Sequence, residues 1–338
     1  MEALATYAGA FVVAALASAV LTALWIRIAR ARRIVDLPGQ RRLHSLSTPR
    51  GGGIGIGLVM VAACVLMPSQ VSGPASWLAL AGAIAAFSAI GLLDDLLPLS
   101  VWLKLFLQLL ASVVLLAALG PPAAMVWWLG MGLLAAYFIN VWNFMDGSNG
   151  MVAGQSLVIS LALAFWPGLT MPTRLVALAL AGACAGFLPF NLPRARVFLG
   201  DVGSHALGVS VFALLWLAWK QGVVTVPQVL LLCSAMLLDS GLTLLRRALH
   251  GRRIWQAHRE HLYQYAVRSG YSHAQVCLAY VIWTTISAGV AYLGGAWRFS
   301  FQAWLLFVFL TLGCLVHNSL RRRLLEFGPR RQRTQEHG

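Results

Sequence analysis

Two adjacent carboxylates, Asp94 and Asp95, close a run of about 18 apolar residues, long enough to cross a bilayer. The chain has ten acidic residues in 338, so a side-by-side pair is not background. Acids at a helix C-terminus oppose the macrodipole, and neighbouring like charges repel. The pair therefore calls for a cation. Lys104, one of two lysines, follows Asp94 by ten residues and lies one turn into the next apolar run. A short connection makes the two helices antiparallel neighbours. Lys104 then either faces the acids or a phosphate, or snorkels at the interface.

Four further clusters could do chemistry. Asn140-Val141-Trp142-Asn143-Phe144-Met145-Asp146-Gly147-Ser148-Asn149-Gly150 packs three amides and one carboxylate between two apolar runs. Asn143, Asp146 and Asn149 share a face if the stretch is a helical turn. Such oxygens ligate Mg²⁺ or hydrogen-bond a nucleotide; the alternative is an Asn/Gly turn with an Asp cap. Asp201 lies in Phe198-Leu199-Gly200-Asp201-Val202-Gly203-Ser204, preceded by Asn191, Arg194 and Arg196. Alone it reads as an N-cap; beside two other acidic clusters it reads as a metal ligand. His258-Arg259-Glu260-His261 lies in a polar loop over 246–274. The histidines share a face if the loop is helical. Zinc lacks a third ligand nearby, so a cationic clamp on phosphate competes with a plain amphipathic surface helix. Finally, Arg50 precedes Gly51-Gly52-Gly53 at the start of an apolar run. These glycines either offer backbone N–H groups to a phosphate or form a flexible turn.

The elements that must position these groups are membrane helices. Hydrophobic residues make up 59% of the chain and charged ones 10%, and mean hydropathy is +0.77. These values exclude an ordinary soluble domain. Apolar runs fall at roughly 6–28, 52–68, 76–94, 101–119, 123–141, 151–166, 173–190, 204–219, 227–245, 275–294 and 299–318, an expectation of about eleven spans with ten as the lower count. The first run lacks a basic leader region and a small-residue cleavage site, so it reads as a span. The fold class is all-α polytopic: one transmembrane domain over 1–320 and a basic cytoplasmic tail over 321–338. Of the 25 Lys and Arg residues, 22 lie in the loops after odd-numbered runs and in the tail. The positive-inside rule puts that side in the cytoplasm and the N-terminus outside. Every acidic cluster lies on the same side. The net charge of +15 suits a membrane surface and anionic substrates, and no nucleic-acid motif accompanies it. The five cysteines lie in apolar runs without ligand spacing and read as small buried hydrophobes.

Acids for Mg²⁺, amides for a nucleotide and Arg/His for phosphates together suit phosphoryl transfer, which needs mainly positioning and charge neutralisation. The order Thr48-Pro49-Arg50-Gly51-Gly52-Gly53, Asp94-Asp95 with Lys104, Asn143 to Gly150, Phe198 to Ser204 and His258 to His261 resembles the polyprenyl-phosphate N-acetylhexosamine-1-phosphate transferase family (MraY/WecA-like). Asn149, where those types carry Asp, and His-Arg-Glu-His resemble its WbpL-type, O-antigen-initiating branch. The resemblance implies an enzyme of a bacterial inner membrane with a cytoplasmic active site. It would transfer N-acetylhexosamine-1-phosphate, or a 6-deoxy form, from a UDP-sugar to undecaprenyl phosphate with Mg²⁺ or Mn²⁺, releasing UMP. A homodimer is compatible with it. Asp94, Asp95 and Asp201 are its implied catalytic residues, with Asp94 acting on the lipid phosphate. Asp201 and Asn143 are implied metal ligands. Arg50, Lys104, Asp146, Asn149, Asn191, His258, Arg259 and His261 are implied substrate contacts. A secondary transporter of an anionic solute and a catalytically silent assembly protein are the alternatives. A transporter would place its acids at mid-membrane, whereas these lie at span ends.

Overall fold

The structure, a computed structural model, describes residues 2–36, 47–66, 74–97, 99–120, 126–256 and 258–335. The helices are α1 (Glu2–Ala31), α2 (Ile54–Val65), α3 (Pro74–Leu96), α4 (Val101–Ala118), α5 (Val126–Phe144), α6 (Met151–Ala164), α7 (Met171–Asn191), α8 (Gly200–Lys220), α9 (Val226–Leu232), α10 (Ser234–Leu249), α11 (Leu262–Arg268), α12 (His273–Gly294) and α13 (Phe299–Gln335). One short antiparallel pair, β1 (Val35–Asp36) with β2 (Thr48–Pro49), departs from an all-helical fold. Among the described residues, six helices are long and apolar enough to cross a membrane, or seven if the bent pair α9–α10 counts as one.

Each of the eleven apolar runs coincides with a helix, with two departures. The run expected over 227–245 is broken: α9 and α10 meet at an angle of 81° around Cys233. Each half is anchored to α12 by its own polar contact. Gln228 Nε2 donates to the Ala291 carbonyl at 2.9 Å, and Trp283 Nε1 donates to Ser234 Oγ at 3.0 Å. At the other end, the basic segment expected as a tail continues α13 without interruption through Gln335.

The core is built around α8, apolar on all sides and buried almost throughout, as a central helix must be. It packs against α3, α5, α6 and α2, while α1 lies along α7. Lipid removes most of the hydrophobic drive between helices, so close backbone approach replaces it. On α7, a Cβ at Gly182 or Gly186 would sit 2.2 or 2.1 Å from the Phe11 or Ala15 carbonyl oxygen of α1. Four of the cysteines are buried and Cys314 is partly buried; none forms a disulfide.

Candidate active site

The acid pair ends α3 where α8 begins. Asp95 reaches across and accepts from the backbone N–H of Asp201 and of Val202, each at 3.1 Å. One carboxylate thus takes up two of the orphan donors at the N-terminus of α8. The positive end of that helix offsets the unfavourable placement of an acid at the end of α3. Arg50 Nε completes the pairing at 2.7 Å from Asp95 Oδ1.

Asp94 faces the other way. Its Oδ1 accepts from the Leu99 N–H at 2.9 Å and its Oδ2 from Lys104 Nζ at 2.7 Å. Lys104 Nζ lies equally close to Asp201 Oδ2, and Asp201 Oδ1 is 3.7 Å from Arg50 Nη2. The result is a closed ring, Asp94–Lys104–Asp201–Arg50–Asp95, drawn from α3, α4, α8 and the segment before α2. Lys104 therefore faces the acids rather than snorkelling. The two aspartates are not equivalent: the Asp95 side chain is 1% exposed and that of Asp94 16%.

Two of the three glycines after Arg50 spend their N–H groups within the chain, in a tight turn. Gly52 and Gly53 donate their N–H groups to the Phe198 and Leu199 carbonyls at 2.8 and 2.9 Å, and Phe198 donates to the Pro49 carbonyl. Those donors are spent on joining β2 to the approach of α8, so a phosphate cannot take them. The missing side chains permit contact instead: a Cβ on Gly53 would lie 2.2 Å from the Gly203 Cα. Gly200, at φ +76°, opens α8 in the left-handed region beside Asp95 and Gly51.

The Asn143–Gly150 cluster is not one helical face, because α5 ends at Phe144 and a turn follows. Asn143 Nδ2 donates to Ser204 Oγ at 3.1 Å, and Ser204 Oγ donates to the Asp201 carbonyl at 3.3 Å. Asp146 accepts from the Gly200 backbone. Burial and the neighbouring Asp201 and Asp95 carboxylates push the Asp146 carboxyl well above the usual range. Asn149 sits at the far side of the turn, its N–H directed at His273 Nδ1. Asn191 is buried, and its amide is engaged at both ends with backbone: Oδ1 accepts from the Gly150 N–H and Nδ2 donates to the Val197 carbonyl. It ties this turn to the approach of α8.

His258 and His261 share no helical face either, since α11 begins at Leu262 and His261 is its N-cap. Their rings lie 4.9 Å apart. Burial, His261 and Arg247 hold the His258 imidazole down at about 4, so it is neutral near pH 7 and lends no charge to a clamp. Arg259, between them in sequence, is half-buried. The motif reaches the rest of the site through Tyr263, whose hydroxyl donates to the Phe144 carbonyl at 3.0 Å.

Two buried groups escaped the sequence reading. Asp239 of α10 accepts from the Leu262 and Tyr263 N–H groups at 2.8 and 3.3 Å and from the Tyr280 hydroxyl at 2.6 Å. It holds the start of α11, and so the histidine motif, in place. An acid inside an apolar run was signal enough. His205, fully buried one turn after Asp201, gave no spacing to notice.

A family model described as glycosyl transferase family 4 matches residues 77–219, from α3 through α8. The chain is 30% identical over 312 residues to a decaprenyl-phosphate N-acetylglucosaminephosphotransferase of Mycolicibacterium smegmatis, covering 78% of this chain and 76% of the relative. The chain belongs to this transferase family. The transferase is also 24% identical to a probable undecaprenyl-phosphate N-acetylglucosaminyl 1-phosphate transferase of Bacillus subtilis, across 90% of both chains. Over 194 residues, it is 36% identical to a phospho-N-acetylmuramoyl-pentapeptide-transferase of Heliobacterium modesticaldum, covering 49% of this chain and 60% of that one. The transferase is thus an enzyme of the glycosyl-1-phosphate transferase type, and the matched region contains every member of its charged ring except Arg50.

Proposed function

We propose that this transferase moves N-acetylhexosamine-1-phosphate, or a 6-deoxy form, from a UDP-sugar to undecaprenyl phosphate at the cytoplasmic face of a bacterial inner membrane. The product begins a lipid-linked surface polysaccharide of the O-antigen kind. The observation that carries the reading is the sharing of Lys104 by Asp94 and Asp201, at 2.7 Å each, where α3, α4 and α8 meet. Asn149 and the His-Arg-Glu-His order support the O-antigen branch over the peptidoglycan one.

The donor set fits a divalent cation. Among the described residues, no three His, Cys, Asp or Glu side chains form a closed metal cage. Mg²⁺ does not need one, because it keeps several waters and uses one or two carboxylates plus substrate phosphates. The charge balance favours it: among the described residues, Asp94, Asp95, Asp146 and Asp201 gather around Arg50 and Lys104. Asp201 would hold the ion, with Asn143 beside it. Bound there, Mg²⁺ would neutralise charge on the donor diphosphate.

The chain's own groups account for the rest. An oxygen of the lipid phosphate attacks the β-phosphorus of the donor in line. The bond from that phosphorus to the bridging oxygen breaks, and UMP leaves. Asp94 is the member of the pair able to take a proton from, or orient, the lipid phosphate, because both Asp95 oxygens are committed to α8. Lys104 and Arg50 stand ready for phosphate oxygens, and Asp146 and Asn149 line the nucleotide side.

UMP release from a panel of UDP-N-acetylhexosamines with undecaprenyl phosphate and Mg²⁺ tests the reading. Release with at least one donor is expected, falling ~10²-fold or more in Asp94→Asn and Asp201→Asn. No release with any donor overturns the reaction, and wild-type rates in either variant overturn that residue's role.

A further inference from the structure

Beneath the charged ring runs a chain of two amides, one buried and one half-buried, and a buried imidazole that the reaction scheme does not use. Asn140 Nδ2 of α5 donates to the Ala136 carbonyl at 2.8 Å and to Gln108 Oε1 of α4 at 2.6 Å. Gln108 Nε2 is 2.7 Å from His205 Nε2 of α8, and His205 Nδ1 is 2.6 Å from the Asp201 carbonyl. Gln108 is 1% exposed and His205 0%.

Both ends of this chain are backbone carbonyls, which only accept. That fixes every proton between them. Nδ1 must carry a hydrogen to donate to Asp201. Had Nε2 carried one too, Gln108 would have to present its oxygen to the ring and its NH₂ to Asn140. Asn140 would then present its own oxygen to the Ala136 carbonyl, setting two acceptors against each other. Only the neutral Nδ1–H tautomer satisfies all four groups. The donors then run in one direction, Asn140 to Gln108 to His205 to Asp201, and such aligned chains strengthen one another.

We propose that His205, held by Gln108 as its neutral Nδ1–H tautomer, is a positioning residue that fixes the Asp201 carbonyl and with it the direction of the Asp201 carboxylate. This rests on the transfer reaction proposed above. The carbonyl also accepts from Ser204, so it is clamped from two sides. A bulky apolar residue at 205 would fill the space but leave the carbonyl one donor short. An asparagine would restore that donor, since Asn140 makes the same bond to the carbonyl four residues before it.

The test uses the full chain in lipid nanodiscs. His205→Leu should lower kcat about 30-fold with donor KM changed less than about threefold, since a small displacement of a reacting group has effects of this order. His205→Asn should keep kcat within about threefold of wild type. Equal losses in both variants, or a wild-type kcat in His205→Leu, overturn the proposal. A second readout needs no activity. With ¹⁵N-histidine labelling, the resonance lost in His205→Asn should show a protonated Nδ1 and a bare Nε2, and the Nε2 shift should move in Gln108→Leu. An Nε2–H tautomer, an imidazolium or an unmoved shift overturns the proposal, even where His205→Leu does not fold. If wild type releases no UMP, the reaction fails while the tautomer still decides the role of His205.

Discussion

Asp94 and Asp95 are chemically identical neighbours with different work, and substitution should separate them. Asp94→Asn removes a partner of Lys104 but touches no helix terminus of α8. It should abolish transfer while leaving the unfolding midpoint within a few degrees of wild type. Asp95→Ala leaves two buried N–H groups and Arg50 without their acceptor, so it should also destabilise the fold by about 3 kcal/mol. Thermal melts of both variants check this; equal midpoints would show that the cap contributes nothing. Asp146 gives a pH signature. A carboxyl raised in the folded state costs nothing below its ordinary value and destabilises progressively as pH rises through the folded value. A nearby cation relieves that cost. Mg²⁺ should therefore raise the melting temperature more at pH 8 than at pH 5, and Asp146→Asn should flatten the difference. An equal rise at both pH values counts against Asp146 as its source.

Among the elements, α3 carries an internal control. A Cβ on Gly91 would lie 2.3 Å from the Asp201 carbonyl oxygen, whereas one on Gly82 meets nothing within 4 Å. Gly91→Ala must push α3 off α8 and should cost about 2 kcal/mol or more together with most activity. Gly82→Ala should be neutral or stabilising by up to ~1 kcal/mol through helix propensity. Detergent-resistant folding and UMP release measure both. Apolar length made the eleven apolar runs legible in the sequence, but not the short polar-flanked α11. They did not reveal the bend at Cys233, because composition is unchanged across it and the tethers to Gln228 and Ser234 come from α12. The purpose of Gly52 and Gly53 was hidden for the same reason: their partners lie near residues 198–203, far along the chain.

For the whole molecule, the acidic clusters and Lys104 were legible because ten acids in an apolar chain stand out. Asp239 carries the same signal from inside a run rather than at its end, whereas nothing in the spacing around His205 marks it. The proposed orientation rests on charge alone and is open to a direct check. Cysteines placed at Arg252, which is 58% exposed, and at Arg298 on the opposite side should react with an impermeant maleimide differently in intact cells. Arg298→Cys should label at once and Arg252→Cys only after permeabilisation; the reverse pattern would invert the topology. The buried native cysteines keep the background low.

The clasp of Asp95 on the start of α8 also has a place in the molecule's biogenesis. Lys104 follows Asp94 by 10 residues and can meet it as soon as α4 is inserted, but the donors for Asp95 lie 106 and 107 residues downstream. A nascent chain halted after α7 therefore holds an acid at the end of α3 with neither of its helix donors. Quality-control proteases should clear that truncation faster than one halted after α8, and a pulse-chase comparison of the two measures it. Completing the charged ring and passing inspection as a folded membrane protein would then be the same event.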